Sequence, residues 1–317
     1  MKIAVDAMGG DFAPKEIVAG AILAAKRYDC EIVLVGDQTQ IQKELDKNYP
    51  EWRKSTISIH HASDVVGMGE HPGVAVRRKK DSSIVVATRL VKEGECDAVL
   101  SAGNTGAAAA SALFILGRIK GIDRPSIATP IPTGKGSVTL LLDSGANVDC
   151  KPKHLCQSAL MGSIYAKCML GLENPAVGLL NIGEEATKGN EQAQATYPML
   201  KSMKTINFKG NAEGLAKTLV SLAKDAINKG GILAKLGALM LMPALKKLGK
   251  DIDVSEYGGA PLLGVNGCCI ISHGSSNAKA ICSAIRQASE FVQKDVITQI
   301  RDNIDKEEIW SHDTEVK

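Results

Sequence analysis

Short apolar stretches alternate with longer amphipathic ones over the first two thirds of the chain. The longer stretches predict helices from Pro14 to about Lys26 and from Ser83 to Glu93. Strands that alternate with helices in this way are typical of a parallel sheet with helices on both faces. We therefore expect an α/β fold with a mostly parallel sheet. The predicted strands are residues 3–6, 31–35, 56–60, 98–101, 126–131, 137–143, 176–181 and 205–210.

The last third of the chain has a different pattern. Residues 215–250 are almost wholly helical in pattern, with two glycines and a proline as interruptions. A late strand at 269–272 precedes a long helix that is predicted to run from Ala278 to about Asn303. No repeat, linker or low-complexity segment divides the sequence. We therefore expect a single domain over residues 1–317.

Composition narrows the class of partner and the compartment. With 3% aromatic residues and a net charge of +3, the sequence argues against a surface that binds nucleic acid. The eight cysteines include no CxxC pair and no zinc-type spacing, so we expect reduced cysteines and no metal site. The chain opens on a strand, and no apolar run approaches the roughly 20 residues of a membrane span. We expect a protein that is cytosolic or lies on a membrane face.

Four short loops combine glycine with hydrogen-bonding residues: 6–11, 101–106, 188–191 and 273–277. Because the carboxyl ends of parallel strands meet at one sheet edge, we expect these loops to line one cleft. Backbone N–H groups at a helix N-terminus bind anions, and small residues leave such a site open. Any one loop is explained by ordinary turns and helix caps, whereas the four together favour a phosphate or carboxylate site. None of them matches a common nucleotide-binding motif.

Three further features have more than one interpretation. The basic cluster at residues 77–80 is either a solvated surface or a site for an anionic substrate or acidic protein, with Asp81 or Ser82 capping the next helix. His273 suits acid–base chemistry or hydrogen bonding, and equally an ordinary loop position. The apolar stretch 231–247 has lysines at both ends. A buried core helix is its simpler interpretation, and an interfacial helix pair is the alternative.

These segments together resemble the phosphate acyltransferase family called PlsX. The resemblance covers nearly the whole chain in the family's order, which is far more specific than any single motif. The segments that carry it are 3–11, 77–83, 101–106, 117–125, 142–149, 188–191, 257–260 and 273–277.

The resemblance implies a three-layer α/β/α sandwich similar to isopropylmalate dehydrogenases and phosphotransacetylases. It also implies a homodimer that makes acyl phosphate from acyl carrier protein and inorganic phosphate, without a metal or organic cofactor. Such an enzyme is cytoplasmic and peripherally associated with the membrane, and it supplies a glycerol-3-phosphate acyltransferase in phosphatidic acid synthesis. The family carries a protruding apolar helical hairpin, here at residues 229–250. Its implied membrane contacts are Leu236, Leu239, Met240 and Leu241.

The matching motifs of the family imply a set of site residues. Lys188 is the candidate for charge stabilisation, with Asn190 and Glu191 ordering its loop, and His273 completes the catalytic set. The residues implied to dock the acidic carrier protein are Arg77, Arg78 and Lys79. The residues implied to bind substrate are Asp6, Gly9, Gly10, Asp11, Lys80, Ser82, Ser83, Asn104, Thr105, Gly106, Ser275, Ser276 and Asn277.

The sequence departs from the family pattern after residues 211–214. The family continues there with a further strand and a glycine loop, whereas here residues 215–217 begin a helical pattern at once. An asparagine of that loop is implicated in the family's catalysis, so no residue of this chain can be assigned its role. Either this chain lacks part of the site, or the sequence omits a segment that the protein contains.

Overall fold

The computed structural model describes residues 1–133, 137–213, 258–304 and 306. The strands are β1 (Lys2–Asp6), β2 (Glu31–Gly36), β3 (Ile57–His61), β4 (Ala98–Ser101), β5 (Ser126–Ile127), β6 (Thr129–Thr133), β7 (Ser137–Leu141), β8 (Ala176–Asn181), β9 (Asn207–Glu213), β10 (Ala260–Leu263) and β11 (Cys268–Ile271). The helices are α1 (Lys15–Arg27), α2 (Gln38–Asn48), α3 (Pro72–Arg78), α4 (Ser83–Lys92), α5 (Thr105–Ser111), α6 (Pro152–Leu170), α7 (Glu191–Ser202), α8 (Ala278–Gln293) and α9 (Val296–Ile304). A short 3₁₀ helix covers Trp52–Lys54, and a π-helical turn, Ala112–Leu116, continues α5.

The main sheet has seven strands in the order β3-β2-β1-β4-β11-β10-β5. The first five are parallel, while β10 runs antiparallel to both of its neighbours. This confirms the predicted α/β fold with a mostly parallel sheet. It also brings the carboxyl ends of β1, β4 and β11 side by side, because these three strands are neighbours.

Alternation along the central strands explains the three layers. Ile3 and Val5 of β1 face a core shared with α1, α2 and α8, whereas Ala4 faces the opposite core with α3, α4 and α5. Leu100 and Val99 of β4 divide between the same two cores. Side chains of a strand point alternately to the two faces, so strands that are apolar throughout must be covered on both faces. The α/β/α sandwich is therefore confirmed.

Two smaller sheets complete the described fold. Strands β6 and β7 form an antiparallel hairpin, and β8 and β9 form a parallel pair next to α6 and α7. Leu179 of β8 and Leu200 of α7 belong to the same buried apolar cluster as Ile3 of the main sheet. One continuous core therefore links the β8–β9 sheet to the main sheet. Within the described ranges, no helix has the length and apolar character needed to cross a bilayer.

Three local predictions differ from the structure. The predicted strand 126–131 is two strands, β5 and β6, which belong to different sheets. Strand β10 was not predicted, since it is short and contains Pro261, which strand interiors rarely tolerate. The long C-terminal helix is two helices, because Asp295 adopts a left-handed φ of 48° between α8 and α9. The predicted hairpin at 229–250 lies outside the described residues.

Candidate active site

The loops after β1, β4 and β11 are interlocked by two glycines. A Cβ at Gly9 would lie 2.8 Å from the backbone nitrogen of Gly103, so only glycine allows this approach of the β1 and β4 loops. Gly10 has a φ of +119°, and a Cβ there would lie 3.2 Å from the carbonyl oxygens of both Ala102 and Gly274. The backbone N–H of Asp11 donates to Gly274 O at 2.8 Å. These predicted substrate-binding residues therefore hold the three loops together.

Asp6 is buried at the base of the same junction. It accepts hydrogen bonds from Ser101 Oγ at 2.7 Å and from the Met8 backbone N–H at 3.3 Å. Burial raises the pKa of Asp6, and hydrogen bonds from the side chains of Ser101 and Ser83 oppose the rise. Asp6 and Ser83 are both buried. The structure therefore uses these two predicted substrate ligands to join β1, β4 and α4.

A cavity of about 470 Å³ opens beside the β4 and β11 loops. This volume lies in the range of small-molecule sites, roughly 300–1,000 Å³. The predicted site residues that line it are Thr105, His273, Ser275, Ser276 and Asn277. The rest of the lining, which the sequence did not assign to the site, is Ile127, Thr129, Pro130, Ser144, Gly258, Gly259, Ala260, Ile271, Ser272 and Ala280.

His273 and Ser275 face the cavity as a hydrogen-bonded pair. His273 Nδ1 lies 2.8 Å from Ser275 Oγ and accepts the backbone N–H of Ser275 at 3.2 Å. An N–H group only donates, so Nδ1 is the acceptor and the neutral ring carries its proton on Nε2. Ser276 is 9% exposed, and no hydrogen bond in the described part of the chain engages its hydroxyl. The loop after β11 thus offers hydroxyl and imidazole donors to a ligand.

The asparagines of the site mainly order the backbone. Asn104 Oδ1 accepts the Ala107 N–H at 3.0 Å and caps α5, while its Nδ2 contacts carbonyl oxygens of the 67–70 loop at 3.0–3.2 Å. Asn277 caps α8 through the Ala280 N–H at 3.0 Å. Asn104 is therefore a positioning residue whose amide is occupied, whereas Asn277 both caps a helix and lines the cavity. Gly106, two residues after Asn104, is also structural, because a Cβ there would lie 2.5 Å from Pro72 of α3.

The basic cluster divides into paired and exposed side chains. Lys79 Nζ pairs with Glu70 at 2.8 Å and with Asp64 at 3.4 Å, and the bond to Glu70 raises the pKa of Lys79. This partner set makes Lys79 a brace of the 64–70 loop, and the docking role implied for it stays a prediction. The side chains of Arg77, Arg78 and Lys80 are exposed.

Arg77 lies over an exposed aromatic ring. Its guanidinium carbon is 5.0 Å from the ring centroid of Phe114, within the range of a cation–π contact.

The expected cap of α4 is wrong in detail. Ser82 occupies the N-cap position, but its hydroxyl donates to Lys79 O at 2.8 Å and makes no cap bond, while Asp81 accepts from Ser63.

The Lys188 loop belongs to a different part of the fold. It follows β8, which pairs only with β9 in the described chain, so the expectation that all four loops share one sheet edge is wrong for this loop. Asn190 Oδ1 accepts the Ala193 N–H at 2.9 Å and caps α7, and Glu191 lies in the first turn of that helix. The Lys188 side chain is exposed and does not line the cavity.

Asp143 fixes one wall of the cavity, although no role was predicted for it. Its Oδ1 accepts the Ile127 N–H at 2.8 Å, and its Oδ2 accepts the N–H and the side-chain amide of Asn147 at 2.7 and 2.8 Å. Asn147 Nδ2 also donates to Pro125 O. These bonds hold the Asp143–Asn147 turn against β5 and bring Ser144 to the cavity. The only signal in the sequence was the family resemblance of this segment.

Comparisons with known sequences match the chain to one family. Residues 1–216 and 212–299 match a family model described as "Fatty acid synthesis protein". A "Phosphate acyltransferase" from Desulfitobacterium hafniense (strain DSM 10664 / DCB-2) is 54% identical, over 95% of this chain and 97% of the relative. One from Pelotomaculum thermopropionicum is 51% identical, over 98% of this chain and 96% of the relative.

Solved structures support the fold at lower identity. A branched-chain phosphotransacylase from Enterococcus faecalis V583 has a TM-score of 0.56 at 14% identity, covering 92% of this chain and 99% of that chain. The EutD phosphotransacetylase from Staphylococcus aureus has a TM-score of 0.57 at 16% identity, covering 92% and 94%.

The family match breaks where the sequence departs from the family pattern. It falls into two pieces that overlap at residues 212–216, so no residue of this chain is skipped between them. The alignment with the Desulfitobacterium relative spans 329 positions, more than the 317 residues of this chain. Both findings are consistent with a strand–loop unit that the family has after residue 214 and this sequence lacks.

Proposed function

The chain belongs to the phosphate acyltransferase family of fatty acid synthesis proteins, and we propose that it moves a fatty acyl group from acyl carrier protein to inorganic phosphate. The cavity carries the proposal. It sets hydroxyl and imidazole groups from the β4 and β11 loops beside an apolar wall. Phosphate requires hydrogen-bond donors and an acyl chain requires apolar contacts, so a site for both requires the two kinds of lining side by side.

The reaction balances without a covalent enzyme intermediate. An oxygen of hydrogen phosphate attacks the thioester carbonyl carbon, the new C–O bond forms, and a tetrahedral oxyanion results. The C–S bond then breaks, and the carrier thiolate takes the proton that phosphate gives up. Because phosphate is itself the nucleophile, no side chain needs to be acylated. The enzyme has to orient phosphate against the thioester and stabilise the oxyanion.

The cavity donors suit the phosphate. Thr105 and Ser276 provide hydroxyl groups, and His273 in its neutral form provides an Nε2 proton for a phosphate or carbonyl oxygen. Ser275 donates its hydroxyl proton to His273 Nδ1, so its oxygen is left to accept a proton of the ligand. On the family resemblance, Lys188 is proposed to stabilise the oxyanion, although its exposed side chain does not line the cavity. The exposed Arg77 and Arg78 are proposed to meet the acidic carrier protein, since α3 packs on α5, whose first residue lines the cavity.

The wider setting is proposed on the family resemblance. The enzyme is proposed to be a cytoplasmic homodimer that contacts the membrane surface, with Leu236, Leu239, Met240 and Leu241 as the contact. Its acyl phosphate is proposed to pass to a glycerol-3-phosphate acyltransferase in phosphatidic acid synthesis.

One assay tests the reaction. Purified protein is incubated with palmitoyl-carrier protein with and without inorganic phosphate, and acyl phosphate is trapped with hydroxylamine. We expect acyl hydroxamate and free carrier thiol in equal amounts, and only when phosphate is present. Release of carrier thiol at the same rate without phosphate would make the protein a thioesterase and overturn the proposal.

A second candidate is a membrane-bound scaffold that recruits enzymes of lipid synthesis without catalysing the reaction. The two-piece family match favours it, because the loop missing after residue 214 belongs to the family's site. An intact mass that agrees with the 33.5 kDa of this sequence, together with no acyl phosphate formation, would support the scaffold.

A further inference from the structure

The candidate cavity is amphiphilic, and its two kinds of lining come from different elements. The polar lining comes mainly from the loop between β11 and α8 and from Thr105 at the start of α5. The apolar lining comes from Ile127 of β5, Pro130 of β6, Ala260 of β10, Ile271 of β11 and Ala280 of α8. A ligand that fills the cavity must therefore have a polar head and an apolar body.

The size of the cavity leaves room for more than the head group. A volume of about 470 Å³ lies in the range of sites that hold a whole small molecule, roughly 300–1,000 Å³. A phosphate group with a carbonyl group fills only a minor part of that volume. The remainder is bounded by Ile127, Ile271 and Ala280, which are 3%, 6% and 7% exposed. Water in this part would have few hydrogen-bond partners, whereas an alkyl chain would bury apolar surface against it.

Ala280 lies where the polar lining changes to the apolar one. It is in the first turn of α8, directly after the cavity residues Ser276 and Asn277, and its N–H is bound by the Asn277 cap. Its methyl group and that of Ala260 are the smallest side chains of the apolar wall. Because Ala280 lines the cavity, we expect a larger side chain at this position to reduce the cavity volume.

We propose that Ile127, Ile271 and Ala280 form an alkyl-chain subsite next to the phosphate-binding donors, and that the small side chain at position 280 sets the bulk which this subsite accepts. The inference rests on the proposed function, whose acyl phosphate product has such a head and tail. The alkyl chain lies along the wall formed by Ile127 of β5 and Ile271 of β11, while its phosphate head stays at the loop that contains Ser275 and Ser276.

Alkyl phosphates test the subsite without turnover. Titration calorimetry measures the binding of octyl phosphate and ethyl phosphate to the full chain and to Ala280→Leu. The wild-type protein is expected to bind octyl phosphate about tenfold or more tightly than ethyl phosphate, because six further methylenes are partly buried. Ala280→Leu should bring this ratio close to one while leaving the affinity for ethyl phosphate unchanged.

Two further variants keep the test decisive. Ala280→Ser retains the small size and should retain most of the octyl preference, and Ala280→Val replaces Ala280→Leu if the latter does not fold. Equal affinity of the wild-type protein for both phosphates, or an unchanged ratio in a folded Ala280→Leu protein, would overturn the subsite. A protein that prefers octyl phosphate but forms no acyl phosphate from palmitoyl-carrier protein would overturn the proposed function alone.

Discussion

Ser101 donates a hydrogen bond of 2.7 Å to the buried carboxylate of Asp6 and joins two loops that lie 95 residues apart in the sequence. The same hydroxyl accepts the Gly103 N–H at 3.0 Å, so Asp6 also orders the first turn of the β4 loop. That loop leads to Thr105 at the cavity. Asp6, which the family resemblance implied as a substrate ligand, thus supports the loops behind the cavity.

Asp6→Asn should remove a pH-dependent component of stability. Burial raises the pKa of Asp6 in the folded state, so the folded protein holds this proton more tightly than the unfolded chain does. The resulting stabilisation is fully present below the ordinary carboxyl pKa and is lost as pH rises through the folded-state pKa. Urea unfolding from about pH 7 to about pH 4 should show the free-energy difference between wild type and variant shifting in favour of the wild type as pH falls. A difference that does not change with pH would contradict this account.

Gly10→Ala should destabilise the protein more than Gly94→Ala does. Both glycines have positive φ, +119° and +77°, so an alanine at either position costs about 1–2 kcal/mol in backbone strain. Nothing lies within 4 Å of a Cβ at Gly94, whereas a Cβ at Gly10 meets two carbonyl oxygens. Chemical unfolding should therefore show a loss of about 1 kcal/mol for Gly94→Ala and clearly more for Gly10→Ala. Equal losses of unfolding free energy in the two variants would contradict this prediction. They would mean that the loops after β1, β4 and β11 can move apart without loss of stability.

Alternating pattern and loop composition were enough to predict the layers, the parallel sheet and three of the loops at its edge. The role of each side chain was not predictable, because Asp6, Gly9 and Asn104 have the residue types of a ligand site and are used for loop contacts across long sequence separations. The ion pair of Lys79 with Glu70 could not be predicted from the sequence for the same reason. From the sequence, Ile127 was predicted only to belong to a strand. The structure shows that it lines the cavity.

Arg77 and Arg78 should differ from Lys79 in their effect on the carrier protein. Replacing both exposed arginines with alanine is expected to raise KM for palmitoyl-carrier protein about threefold or more, with a weaker dependence on salt, since rim charges mainly steer association. Lys79→Met serves as the matched control. It should lower the midpoint of thermal unfolding, because Asp64 and Glu70 lose their partner. An unchanged KM in the double arginine variant would exclude this surface as the docking site.

Asp143→Asn should weaken the cavity wall through Ser144. An amide at this position keeps one oxygen acceptor and places an NH₂ group at the other site. The variant therefore loses either the Ile127 bond of 2.8 Å or the two Asn147 bonds of 2.7 and 2.8 Å. The loss is expected to cost about 1–3 kcal/mol in the free energy of unfolding. The turnover of Asp143→Asn should also fall at a temperature where the variant is still folded. The turnover of Ser144→Ala shows how much of this loss is due to the serine hydroxyl. Full activity in folded Asp143→Asn would make this turn purely structural.

Lys188→Ala should separate catalysis from folding. The side chain is exposed on the loop between β8 and α7, so its removal is expected to change the free energy of unfolding by less than about 0.5 kcal/mol. If the ammonium group stabilises the oxyanion, kcat should fall about a hundredfold or more, as for a lost oxyanion donor. Lys201→Ala, which removes an exposed lysine from the last turn of α7, is the matched control and should keep normal turnover. Normal kcat with a raised KM for the carrier protein in Lys188→Ala would instead make this lysine part of the docking surface.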